Sequence, residues 1–199
     1  MITVVGIGPG RNDLQLKGLN QYLAQATLVV GSKRQLTTMQ VPKEKAYPLP
    51  RLATLKAELV TKLDENIVIL ASGDPLLYGI GTWAIHNFPT GKVKVVPGIS
   101  SMQYCFHQFG LSMNDCYFTS SHGRRPDFDF LLAHEKVAMV TDRELGPYQI
   151  AQEILKRGQK RRLYIGENLS YPDEKLTNGL ADQVQDREYG LNVVIITNA

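Results

Sequence analysis

Along this chain, short runs of apolar and β-branched residues alternate with longer stretches in which apolar positions recur every three or four residues. The runs at 2–5, 27–30, 67–71 and 93–96 predict strands, and the stretches at 14–25, 52–63, 76–87 and 101–109 predict helices. A second series follows, with strands at 116–119, 137–141, 162–165 and 193–197 and helices at 128–134 and 148–157. Alternation of this kind implies α/β architecture, with parallel strands joined by right-handed crossovers. Two α/β domains are expected, residues 1–111 and 112–199, joined near 111–114.

In open α/β sheets ligands sit beyond the carboxyl ends of the strands, so the loops there are where chemistry is sought. The first loop, "GIGPGRND", carries Gly6, Gly8 and Gly10. It fails the dinucleotide fingerprint twice. The third glycine stands one place early, leaving Arg11 at the fingerprint position, and the second strand ends in "LVVGSKRQ", with Gly31, Ser32 and Lys33 where the ribose-binding acid belongs. Pro9 also removes a backbone N–H from the turn. A tight strand-to-helix turn with Asp13 as N-cap explains Gly10 and Asp13, but not a loop so rich in glycine and proline. Further on, "ASGDPLLYG" reads as a helix start with Asp74 as N-cap and Pro75 at the first helical position, and in "VVPGISSMQ" Ser100 or Ser101 can cap. Capping explains each singly. Three Gly/Pro-rich loops opening on one sheet edge point to a ligand.

Composition narrows the class. With 43% hydrophobic and 21% charged residues and a formal charge of +3, the chain is globular, and it has no dense Lys/Arg stripe for nucleic acid. Mild basicity suits an anionic small molecule. Cys105 and Cys116 form no Cys-x-x-Cys pair, so a reduced, cytoplasmic setting is expected. No signal-peptide pattern stands at the start, and no apolar stretch approaches the roughly 20 residues that cross a bilayer; neither a membrane nor a nucleic-acid partner is expected. The cationic run from Lys156 to Arg162 reads as a solvated helix end.

The order Gly-Ile-Gly-Pro-Gly, Ser-Gly-Asp-Pro, Pro-Gly-Ile-Ser-Ser resembles the tetrapyrrole methylase superfamily over essentially the whole chain. The resemblance implies two α/β domains, the first with a mostly parallel sheet and the second with a mixed one, an active-site cleft between them, and S-adenosylmethionine (SAM) as methyl donor. It implies that the first loop borders the active site rather than gripping a dinucleotide, with Gly8 toward substrate and Pro9 toward cofactor. It also assigns Gly73, Asp74, Leu77, Ser100 and Ser101 to the cofactor, and in the second domain Thr141, Glu167 and Asn192. Two segments, "SSHGRRPDF" and "YIGENLSYPDEKL", are similar to the cobalamin-pathway branch that methylates C-5 of precorrin-7 or its cobalt complex, and depart from siroheme-type uroporphyrinogen methylases. Leu191 stands where that branch commonly has proline. The resemblance also implies a homodimer.

The chemistry so implied is undemanding of nucleophiles, because SAM is an activated donor and a meso carbon of a reduced tetrapyrrole is already nucleophilic. Alignment is the protein's main task. Ser121, Arg124 and Arg125 are candidates to hold the pigment, the two arginines by clamping its acetate and propionate arms. His122 is the candidate base that removes a proton after transfer; alternatively it is a loop hydrogen-bonder and the arginines are solvated. No protein metal site is expected, any cobalt being carried by the substrate. Rival readings are a protein-modifying methylase such as a diphthine synthase, a nucleotide-binding oxidoreductase, and a non-catalytic SAM-binding module. Since the chain stops after the strand at 193–197, a single methylation is expected, with C-15 methylation and decarboxylation left to a separate partner enzyme.

Overall fold

β1 (Ile2–Gly6) is an interior strand of the first sheet. The computed structural model describes residues 1–199, and they divide into two units, Met1–Ser100 and Ser101–Ala199. After β1 the first unit runs through α1 (Leu19–Gln25), β2 (Leu28–Gly31), α2 (Lys33–Thr38), β3 (Ala46–Pro48), α3 (Leu52–Leu59), β4 (Ile67–Ala71), α4 (Ile80–Asn87) and β5 (Val93–Val96). Its strands are all parallel, in the order β3-β2-β4-β1-β5. β1 and β4 are apolar on both faces, as central parallel strands must be. Val4 and Ile69 pack with Leu55 and Leu59 on one side, while Val5 and Leu70 pack with Leu19 and Val29 on the other.

Two helices start later than their periodicity predicts. The apolar pattern from 14 is interrupted by a 3-10 turn at Asn12–Leu14 and by Gly18 at φ 94°, so α1 begins at Leu19. Asp13 lies inside that turn with its carboxylate held by Arg11, and does not cap a helix. Similarly, Tyr78 at φ 55° breaks the stretch after Pro75, and α4 begins at Ile80 with Gly79 at its N-cap. Asp74 is therefore not a helix cap. Sequence periodicity also passed over α2, opened by a Ser32–Gln35 capping box, and the three-residue edge strand β3.

The second unit contains α5 (Ser101–Phe109), β6 (Tyr117–Ser120), α6 (Phe128–Leu132), β7 (Lys136–Val140), α7 (Pro147–Lys156), β8 (Arg161–Glu167), β9 (Lys175–Leu180) and β10 (Asn192–Asn198). The order is β6-β7-β10-β8-β9, with β6 parallel to β7 and every other pairing antiparallel. α5, which the sequence pattern groups with the first half, packs on β7 and β10. α7 covers the opposite side through Ile150, Ala151 and Ile154, against Met139, Leu163 and Val194. β9 was not predicted because four of its six residues are exposed at a sheet edge. Arg161 departs from the expected solvated helix end: it is buried in β8, where its guanidinium donates to the carbonyls of Leu132 and His134 and to Asn198 Oδ1. No helix is long and apolar enough to cross a membrane.

Candidate functional site

The order β4-β1-β5 sets three sequence-distant loops side by side at the carboxyl ends of the strands. Their backbones are joined there. The Gly73 N–H donates to the Gly8 carbonyl at 2.8 Å, and Asp74 spans the other gap: Oδ1 accepts from Leu76 N at 2.8 Å and Oδ2 from Gly98 N at 3.2 Å. A Cβ on Gly98 would lie 2.2 Å from the Gly73 carbonyl oxygen, and one on Gly6 would lie 2.6 Å from Gly98 N. The glycines are thus required by the approach of the loops to one another. Gly8, Pro9, Gly73 and Ser100 are buried at this platform, with Asp74 and Leu77 half-buried. Ser101 opens α5 in the second unit.

The platform fits a small polar cofactor. A carboxylate has about four acceptor positions, and Asp74 spends two on backbone amides, leaving capacity for a hydroxyl or an ammonium.

In the second unit the segments after β6 and β7 face the entry to β10 around a cavity of about 1080 Å³. His122, Arg124, Arg125, Thr141 and Asn192 all line it, so five of the expected residues come together. Thr141 donates to Asn192 Oδ1 at 2.6 Å. Ser121 is fully buried and works behind the surface, its Oγ accepting the Asp142 N–H at 3.1 Å. The two arginines differ. Arg124 folds back on its own strand, donating to the Ser120 carbonyl at 2.9 Å and Thr119 Oγ1 at 3.1 Å. Arg125 reaches outward to Glu153 at 2.8 Å with a side chain 74% exposed, so only it can exchange partners cheaply.

Sequence reasoning missed Asp142, Arg143, Glu153, Lys156 and Tyr189 on the same cavity. Asp142 was legible as an Asx turn: its Oδ1 accepts from Glu144 N and Leu145 N. Those amide donors, Leu145 first, hold its carboxyl below the usual range against the opposing effect of burial, with the nearby His122 adding to the shift. Glu153 on α7 accepts from Arg157, Lys156 and Arg125, and these partners, Arg157 foremost, lower its pKa as well.

Glu167, expected at the cofactor, has other partners. At the end of β8 it is buried, Arg187 donates to both its oxygens at 2.5 and 3.0 Å, and Gly190 N donates at 3.0 Å. Burial would push its pKa up, but the Arg187 guanidinium and the Gly190 amide outweigh it and the net shift is downward.

A family profile described as tetrapyrrole (corrin/porphyrin) methylases matches residues 1–185. The cobalt-precorrin-7 C(5)-methyltransferase of Salmonella typhimurium is 40% identical over 198 residues, covering 98% of each chain. Among solved structures, the cobalamin-biosynthesis precorrin-6Y methylase of Archaeoglobus fulgidus superposes with a TM-score of 0.79 at 20% identity, covering 100% of this chain and 98% of that one. The uroporphyrin-III C-methyltransferase of Thermus thermophilus, complexed with S-adenosylhomocysteine, gives 0.76 at 20% identity, covering 98% and 96%. These two likenesses establish the fold.

Proposed function

The chain belongs to the tetrapyrrole methylases, and from that premise we propose that it transfers a methyl group from SAM to C-5 of cobalt-precorrin-7, or of metal-free precorrin-7, in cobalamin biosynthesis. The observation that carries this reading is the 40% identity, sustained over 98% of both chains, to an enzyme of that activity. A protein-modifying methylase or a dinucleotide enzyme would not share sequence at that level and length with a corrin C-methylase.

SAM supplies an electrophilic methyl on a sulfonium. In the first unit, Asp74, Gly73 and Ser100, with Pro9 and Leu77 beside them, hold the cofactor; the fused loops keep it in one orientation, and alignment alone supplies roughly 7–11 kcal/mol of the barrier reduction. In the second unit, Arg125 offers a guanidinium to a carboxylate arm of the pigment, while Arg124 shapes the loop that presents it. Thr141 and Asn192 serve the cofactor from the second unit. His122, exposed beside Asp142, accepts the proton that leaves the ring after transfer. The protein works as a cytoplasmic homodimer, with C-15 methylation and decarboxylation performed by a separate enzyme.

The test is to supply SAM carrying an isotopic methyl label together with cobalt-precorrin-7. Label should appear in the pigment with an equal amount of S-adenosylhomocysteine; label found on protein, or no turnover of SAM, would overturn the reading.

A further inference from the structure

The segment from Arg187 to Leu191 has no regular secondary structure, yet it is pinned along its length. Glu167, its side chain 4% exposed, takes the two-pronged bond from Arg187 and the Gly190 amide. The Arg187 guanidinium also lies 3.8 Å from the centre of the Tyr189 ring and donates to the Glu188 carbonyl at 2.8 Å. Tyr189 in turn donates through its hydroxyl to the Gln185 carbonyl at 2.8 Å. From below, Asn168 at φ 47° donates its N–H to the Leu191 carbonyl at 2.8 Å, and its side chain sits within 3.1 Å of any Cβ placed on Gly190. Burying a carboxylate costs several kcal/mol unless it is fully paired, so this arrangement is an expensive way to hold a surface loop.

What the loop presents explains the expense. Tyr189, Gly190, Leu191 and Asn192 form one wall of the second unit's cavity, and Leu191 is 67% exposed, the most exposed large hydrophobic residue of the chain. Arg125, Arg143 and Lys156 line the same cavity beside Asp142, Glu144 and Glu153, and the exposed Arg125 and Lys156 share Glu153, from which an anionic ligand arm can draw them. An apolar wall with cations around it complements a flat ring system bearing anionic arms, and the volume of about 1080 Å³ lies at the upper end of small-molecule sites.

Resting on the proposed function, we infer that Arg187, anchored by Glu167, is a positioning residue that holds Tyr189 to Leu191 as the apolar wall against which the face of the tetrapyrrole lies, with Leu191 as its contact. A fork geometry is needed, since a single ammonium cannot bridge both carboxylate oxygens and stack on Tyr189 at once.

The experiment compares wild type with Arg187→Lys, Glu167→Gln and Leu191→Ala. It measures KM and kcat for cobalt-precorrin-7, SAM affinity by calorimetry, and hydrogen exchange over 185–192. Arg187→Lys should raise the pigment KM about tenfold or more and speed exchange in the segment, with SAM affinity and kcat held within threefold, and Glu167→Gln should raise the pigment KM and speed exchange likewise. Leu191→Ala, exposed and harmless to folding, should raise the pigment KM similarly without changing exchange. If exchange speeds or the Tm falls while the pigment KM stays within twofold, the pair is merely structural and the inference is overturned. An unchanged KM in Leu191→Ala overturns it even where Glu167→Gln does not fold. Failure of wild type itself to turn over the pigment would instead strike the proposed function.

Discussion

The carboxylate of Asp74 accepts the backbone N–H of Gly98 at 3.2 Å, tying the loop after β4 to the loop after β5 across 24 residues of sequence. Its other oxygen closes the turn at Leu76, so one side chain organises two of the three loops that meet at the end of β1. Asp74→Ala should therefore weaken SAM binding by about 1.5–3 kcal/mol, the range for a hydrogen bond involving a charged group, which calorimetry would read as a loss of roughly tenfold or more. Gly98→Ala should do the same and also cost about 1–3 kcal/mol of stability, because its new Cβ would meet the Gly73 carbonyl at 2.2 Å. SAM binding unchanged in both variants would remove the platform from the cofactor site.

Adjacent arginines should respond differently to truncation. Arg125→Ala should raise the KM for the pigment about tenfold with Tm nearly unchanged, because its guanidinium is exposed and the buried Glu153 keeps Lys156 and Arg157 as partners. Arg124→Ala should lower Tm measurably as well, through the lost bonds to Ser120 and Thr119. Steady-state kinetics beside thermal melts would check this; equal behaviour of the two would contradict the division of labour.

Much of this was legible in the chain. The strands β1, β4 and β10 are dense β-branched runs with a neighbour on each side, and such runs announce themselves; β5, at the sheet edge, shows through its valines alone. The three loops were marked by their glycines, because only a residue without a Cβ lets backbones approach as Gly6 and Gly98 do. The rest depended on tertiary partners. β9 has the composition of a polar loop and is a strand only because β8 pairs with it. Asp74 looked like a helix cap because its true partner, Gly98, is local only in space. The tie between Glu167 and Arg187 spans 20 residues of chain that include the whole of β9, and nothing in the spacing of either residue advertises it.

That tie should be visible in acid. Glu167 has a folded pKa below its unfolded value, so its contribution to stability is fully present above the unfolded value, about 4.3, and is lost as pH falls through the folded one. Thermal melts from pH 6 to pH 3 should show wild type converging on Glu167→Gln as pH falls below the unfolded value and through the lower folded one. A gap independent of pH would mean that the charge on Glu167 contributes nothing.

Light scattering at micromolar concentration should return twice the mass of one chain, as proposed for a homodimer. A monomer would count against that assembly.

Product mapping locates the methyl group that the enzyme adds. Enzyme, cobalt-precorrin-7 and SAM labelled with carbon-13 in the methyl group are incubated together, and the product is read by mass spectrometry and NMR. The product should gain one methyl, with its labelled carbon bonded to C-5 and every carboxyl retained. A labelled methyl at any other carbon, a second methyl at C-15, or loss of carbon dioxide from the acetate arm would contradict it.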